Sequence, residues 1–192
     1  YYPKLTACIP FTPVTGPRLL TRNALTPDMI EYVINSLKQY CKQSQFSSVH
    51  LLFPDVDFSE QLLTFDWQQR RNIQFQWYNK GYSNFDDFLA TFTSRKRKNL
   101  KKERNKLQAP GFEINRLEGD QITLEYLRFF YRCYQQTYIK RSGHDGYLNK
   151  TFFEKLLDIC KNNLLLVLAK VKEQPVAGAL YFKDSENLYG RY

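Results

Sequence analysis

The sequence predicts an α+β fold, a mixed but mostly antiparallel sheet flanked by helices, and three observations carry that expectation. The second half orders its elements as one strand, two helices and then three strands whose connections are short enough for a meander. Leu164-Leu-Leu-Val-Leu-Ala169 is unbroken apolar sequence, which suits a central strand covered on both faces. Ile30, Val33, Ile34, Leu37 and Cys41 recur at helical spacing, whereas Ile73-Gln-Phe-Gln-Trp-Tyr78 alternates with the period of a half-buried strand. An apolar content of 43% over 192 residues is enough for a proper core.

The elements follow in order. Pro3, Pro10, Pro13, Gly16 and Pro17 make residues 1–24 loop-rich. Thr26-Pro27-Asp28 then supplies an N-cap, a proline at the first helical position and an acid at the positive end of a helix dipole. Val49–Phe53 reads as a strand, and Asp57 with Glu60 reads as a capping box ahead of Leu62, Leu63 and Phe65. Asn84 caps a helix with Phe85, Phe88, Leu89 and Phe92 on its apolar side. After a break near Ser94 a basic helix continues, with Leu100 and Leu107 as a thin apolar seam and Ala109-Pro-Gly111 as its stop. Phe112–Leu117 is a strand, and Leu124, Leu127, Tyr131, Tyr134 and Tyr138 define the face of a long helix. Gly143-His-Asp-Gly146 is a turn, and Thr151-Phe-Phe-Glu154 is a second capping box leading Leu156, Leu157 and Cys160. Strands over 164–171, 176–182 and 188–192 complete the meander.

Charge is concentrated in one place. Residues 95–107 hold eight of the 28 Lys/Arg and one of the 19 Asp/Glu, a local +7 within a chain total of +9. Arg97/Lys101 and Lys98/Lys102 stand four apart on a helix, and Arg95/Lys98 and Lys101/Arg104 three apart, each pair costing a few tenths of a kcal/mol. A surface selected for stability alone would mix in more acids than Glu103. The run therefore points to an anionic, phosphate-bearing ligand.

Other chemistries find less support. There is no apolar run of about 18 residues to span a membrane. Cys8, Cys41, Cys133 and Cys160 form no Cys-x-x-Cys pair, and His50 and His144 are the only histidines, so no metal site is expected. The chain opens Tyr-Tyr-Pro-Lys without a leader pattern. The expectation is a cytoplasmic protein, or a chain whose ends are not natural ones.

Four segments together resemble the FemAB-like acyltransferases, in the branch associated with peptidoglycan biosynthesis or recognition. They are Ser94-Arg-Lys-Arg-Lys-Asn-Leu-Lys-Lys-Glu-Arg104 followed by Pro110-Gly-Phe112, Pro10-Phe-Thr-Pro-Val-Thr-Gly-Pro-Arg-Leu-Leu20, Tyr147-Leu-Asn-Lys-Thr-Phe-Phe153, and Val176–Leu180 with Leu188-Tyr-Gly-Arg-Tyr192. The resemblance implies a pair of lobes with the GNAT-like (acyl-CoA N-acyltransferase) fold. Residues 1–93 would be the later part of the first lobe and 94–192 the opening of the second, an internal fragment ending before the family's Gly-rich phosphate loop. It implies transfer of an acyl or aminoacyl group, from acyl-CoA or aminoacyl-tRNA, to an amine such as that of a peptidoglycan precursor, with CoA, tRNA or a nucleotide-linked muropeptide as the phosphate-bearing ligand. Neither a metal nor a covalently held cofactor is expected.

Within that frame Arg95 and Arg97 are expected to grip phosphate in bidentate fashion, with Lys98, Lys101, Lys102 and Arg104 as point charges and Arg18 as a further contact. Tyr138, Lys140, His144 and Tyr147 gather around one turn, and Tyr189 and Arg191 share a strand face. His144, Tyr147 and Arg191 are the candidates for a catalytic role. Two alternatives stand beside the enzyme: a nucleic-acid-binding module using 95–107, and a non-catalytic GNAT-like binding protein.

Overall fold

The structure, a computed structural model, describes residues 2–107 and 111–190. It separates into two units, 1–77 and 78–192.

In the first unit β1 (Lys4–Ala7) lies parallel to β2 (Ser48–Leu51), with Lys4 opposite Ser48 and Ala7 opposite Leu51. The loop expected over 1–24 therefore contains a strand. Four residues are too few to show a period, and the parallel partner lies more than forty residues away. Phe53 takes a positive φ of 54°, which ends β2 short of the expected Val49–Phe53. Between the strands runs α1 (Pro27–Gln43), where the Thr26 hydroxyl accepts from the Met29 amide at 3.3 Å. The helix buries Ile30 and Ile34 against Phe58 and Leu62 of α2 (Val56–Leu63). Asp55, rather than Asp57, caps α2, its Oδ1 accepting from the Phe58 amide at 2.9 Å.

Residues 73–78 form no strand. Ile73, Phe75 and Trp77 are 88%, 96% and 62% exposed, so the alternation does not bury one face. A period of two shows that a segment can sit in a sheet; a ladder also needs a partner strand, and none among the described residues pairs with it.

The second unit begins with α3 (Phe85–Ala90), capped by Asn84, and after three residues continues as α4 (Ser94–Leu107). Then come β3 (Phe112–Glu118), α5 (Leu124–Ser142), α6 (Lys150–Cys160), β4 (Leu164–Val171), β5 (Gln174–Lys183) and β6 (Leu188–Gly190). The sheet order is β3-β4-β5-β6, antiparallel throughout, with Leu117 opposite Leu166 and Leu166 opposite Leu180. This is the expected α+β meander with β4 inside it. Its cover is one-sided within the unit: Leu164, Leu166 and Leu168 are fully buried, but Leu165, Val167 and Ala169 are only half-buried. The core packs Leu127, Phe130 and Tyr134 of α5 and Phe153 and Leu156 of α6 on that buried face.

Asn149, not Thr151, caps α6, its Oδ1 accepting from the Phe152 amide at 2.9 Å. Gly143 ends α5 in the left-handed region at φ 72°. Gly146 has φ +98°, and a Cβ there would lie 2.4 Å from Tyr134 Cε1. The glycine lets the turn close over Tyr134, whose hydroxyl accepts from the Tyr147 and Leu148 amides at 3.0 and 3.2 Å. Residues 109 and 110 of the expected helix stop, and 191 and 192 of the last strand, lie outside the described residues.

Candidate functional site

The +7 segment folds as one helix, and its cations divide between two faces. On the α3 side, the Arg97 guanidinium donates to the Leu89 carbonyl at 3.2 Å, Ala90 at 3.4 Å and Phe92 at 3.1 Å. These carbonyls lie at and just beyond the α3 C-terminus, where the dipole favours a cation, and the Leu89 carbonyl also accepts from the Phe92 amide at 3.1 Å. Lys101 Nζ pairs with Asp86 Oδ1 at 2.9 Å, and the hydrogen bond from Lys101 holds that carboxyl below its ordinary value. The Arg104 guanidinium stands 4.1 Å from the centroid of the Phe85 ring. Leu100 is half-buried and Leu107 is 59% exposed, so the expected apolar seam does not hold this helix. Three cations join Leu100 in the contacts of this helix with α3.

On the other side lie Arg95, Lys98, Lys102 and Lys106, all exposed, with no hydrogen bond or ion pair among the described residues. At 100° per residue they fall within an arc of about 80°, and they extend over about 17 Å of axis. Asn99 and Asn105 flank them. Lys98, Lys101, Lys102, Asn105 and Lys106 border an open recess of about 490 Å³. Lys96 is directed elsewhere, 5.8 Å from the Phe92 ring. The outer face is thus a row of uncompensated cations and amides, suited to several anionic oxygens at once.

The sequence-predicted residues therefore part company. Arg95, Lys98 and Lys102 stand together on the outer face, joined by Lys106, which charge counting had not singled out. The signal for Lys106 is its place four residues beyond Lys102 on the Lys98–Lys102 row. Arg97, Lys101 and Arg104 are engaged within the unit. Arg18 is spent in its own loop: Nε donates to the Leu52 carbonyl at 2.6 Å, Nη1 to Gly16 at 3.0 Å and Pro17 at 3.1 Å, and Nη2 to Val14. A guanidinium with four carbonyls is a loop fastener.

His144 accepts from the Gly146 amide on Nδ1 at 3.1 Å, which puts the proton of the neutral imidazole on Nε2 and makes that nitrogen a donor. Its ring lies 4.9 Å from that of Tyr147 and 5.5 Å from that of Tyr138. The two catalytic candidates His144 and Tyr147 are neighbours in one aromatic cluster, while Arg191 lies outside the described residues. The four cysteines are free thiols. No helix among the described residues is long and apolar enough to cross a membrane.

Compared with known protein families, residues 1–192 match the model described as FemAB-like, peptidoglycan biosynthesis/recognition. No curated protein and no solved structure matches the chain.

Proposed function

The chain belongs to the FemAB-like family, and from that premise we propose that it forms part of a transferase moving an acyl or aminoacyl group onto an amine of a peptidoglycan precursor. The donor in this reading is acyl-CoA or aminoacyl-tRNA. The observation that carries it is the outer row of α4, where Arg95, Lys98, Lys102 and Lys106 stand uncompensated and aligned; in this reading they hold phosphate oxygens of the donor or of a nucleotide-linked acceptor.

Direct acyl transfer to an amine needs orientation of two reactants, loss of a proton and a donor for the developing oxyanion. The α4 row supplies the first by fixing an anionic handle remote from the reacting carbon. A GNAT-like arrangement of the second unit is supported by the antiparallel β3-β4-β5-β6 order with α5 and α6 packed on one face. His144, donating through Nε2–H, and Tyr147, through its hydroxyl, remain the described side chains proposed as donors to the developing oxyanion.

A row of cations about 17 Å long also suits successive phosphates of a nucleic-acid strand, so a binding module is the second reading. Calorimetric titration of the chain with acyl-CoA, tRNA and UDP-linked muropeptide at two salt concentrations separates them. The transferase reading expects saturable binding of one substrate that persists in part at the higher salt. Binding of nucleic acid alone, collapsing with salt and indifferent to aminoacylation, favours the module.

A further inference from the structure

A second recess lies in the second unit, away from α4. The core-facing side of α5 carries Leu127, Phe130 and Tyr134, all buried on the sheet and α6. Thr137, Tyr138 and Arg141 continue that face for two more turns, but there the cover stops: Tyr138 is half-buried, and Thr137 and Arg141 are exposed. A helix of 19 residues is about 28 Å long, more than its share of the core can cover. The uncovered end, with Cys133 and Gly178 of β5, lines a half-open recess of about 420 Å³.

The chemistry of its lining is uneven. Phe130, Tyr134 and Tyr138 form an aromatic wall, with the Tyr134 and Tyr138 rings 4.7 Å apart. The Thr137 hydroxyl donates to the Cys133 carbonyl at 2.9 Å, so toward a ligand it offers an acceptor. Arg141 brings a positive charge to the lining with no hydrogen bond or ion pair among the described residues, and the lining contains no carboxylate. A recess of this size, walled by aromatic rings and with one cationic side chain in its lining, has the make-up of a small-ligand site. One planar guanidinium beside an aromatic wall, at the solvent-exposed side of the recess, matches one carboxylate in bidentate geometry.

We infer that the recess between α5 and β5 binds the carboxylate end of a small acyl or peptidyl chain, with Arg141 on the carboxylate and the Tyr134–Tyr138 wall on the chain. This site is independent of the α4 row and stands whether or not that row holds phosphate.

Cys133 lines the recess and reports on it, and Cys160 of α6 is an internal control. Both thiols are half-buried, and burial raises both above the ordinary thiol value. The experiment is alkylation of the full chain by iodoacetamide with peptide mapping, in the presence of N-acetyl-phenylalanine, N-acetyl-alanyl-alanine, their carboxamides, or inorganic phosphate. The acids are expected to slow Cys133, and not Cys160, at concentrations about tenfold below those at which the amides do so, as loss of a charge-assisted pair implies. Arg141→Gln, an exposed substitution, is expected to abolish the preference for acid over amide, and Arg132→Gln on the same helix to keep it. Equal protection by acid and amide, no protection by either, or a preference that survives Arg141→Gln overturns the proposal. Protection by phosphate in place of the acids overturns the carboxylate assignment.

Discussion

On its α3 side, α4 presents Arg97, Lys101 and Arg104, each with a partner; on its outer side it presents Arg95, Lys98, Lys102 and Lys106, with no partner among the described residues. Both sets come from one thirteen-residue run and look alike in sequence. The difference lies in where the charge ends. Inner cations spend it on α3 carbonyls, a carboxylate and an aromatic ring, and so build the corner between two helices. Outer cations repel one another and find no partner among the described residues, which leaves them open to solvent and to the anionic ligand proposed above. Charge density located the segment, and partnering sorts its residues.

The comparison breaks most visibly if the outer row is removed. Replacing Arg95, Lys98, Lys102 and Lys106 by Gln is expected to weaken binding of phosphate-bearing ligands by about 100-fold or more at low salt. Thermal stability should hold or rise, because like-charge neighbours are relieved. Retained affinity in equilibrium titration would place the ligand elsewhere.

Arg97→Ala sharpens the other half. It removes three charge-assisted bonds to the α3 end and is expected to cost about 1.5–3 kcal/mol in chemical denaturation, with little change in anion affinity. Loss of binding with unchanged stability would reverse the assignment of the faces.

Gly146→Ala extends the comparison to a neutral site where close packing is already complete. The added Cβ meets the Tyr134 ring, and overpacking of this kind costs about 1–3 kcal/mol. A crystal structure or NMR shifts should show the turn displaced from Tyr134, and an unmoved turn at full stability would contradict the packing described above.

The smallest expected effect concerns a partnered anion. Asp184 accepts from the Glu186 amide at 2.8 Å, the Tyr189 hydroxyl at 2.8 Å and the Asn187 amide at 2.7 Å, and these bonds, the Glu186 amide foremost, pull its carboxyl from 3.8 to about 2. A depressed carboxylate contributes stability above its unfolded value and loses it as pH falls through the folded one. The protection of the β5–β6 turn against hydrogen exchange, taken relative to the unfolded chain at the same pH, should therefore be steady above about pH 4 and fall toward pH 2. An Asp184→Asn variant should show a flatter profile.

Much of the fold was legible because its signals are periodic. The α1 stripe of Ile30, Ile34 and Cys41, the α5 face and the three-strand meander each repeat often enough to be read locally. The two helix caps were misplaced by two residues, Asp57 for Asp55 and Thr151 for Asn149, because each start offers two capping side chains and geometry chooses between them. Strand β1 escaped because parallel pairing depends on a distant partner, and 73–78 misled for the converse reason. The α4 site was legible as a segment only. Which of its cations face α3 depends on how the helix is rotated about its axis, and sequence spacing alone does not set that rotation. The α5–β5 recess was hidden likewise, since Thr137, Tyr138 and Arg141 read as an ordinary continuation of the core face.

The most direct test of the two-faced helix is the salt dependence of single-stranded RNA and pyrophosphate binding by three forms of the full chain. These are the natural sequence, the outer-row quadruple Gln variant, and a control with Lys38, Lys42, Lys155 and Lys172 changed to Gln, which has the same net charge as the quadruple variant. The natural and control forms should bind alike, and the outer-row variant should lose pyrophosphate binding and about 3 from the logarithmic salt slope on RNA. Equal loss in the control and the outer-row variant would mean that overall charge, and not the outer face of α4, attracts the anion.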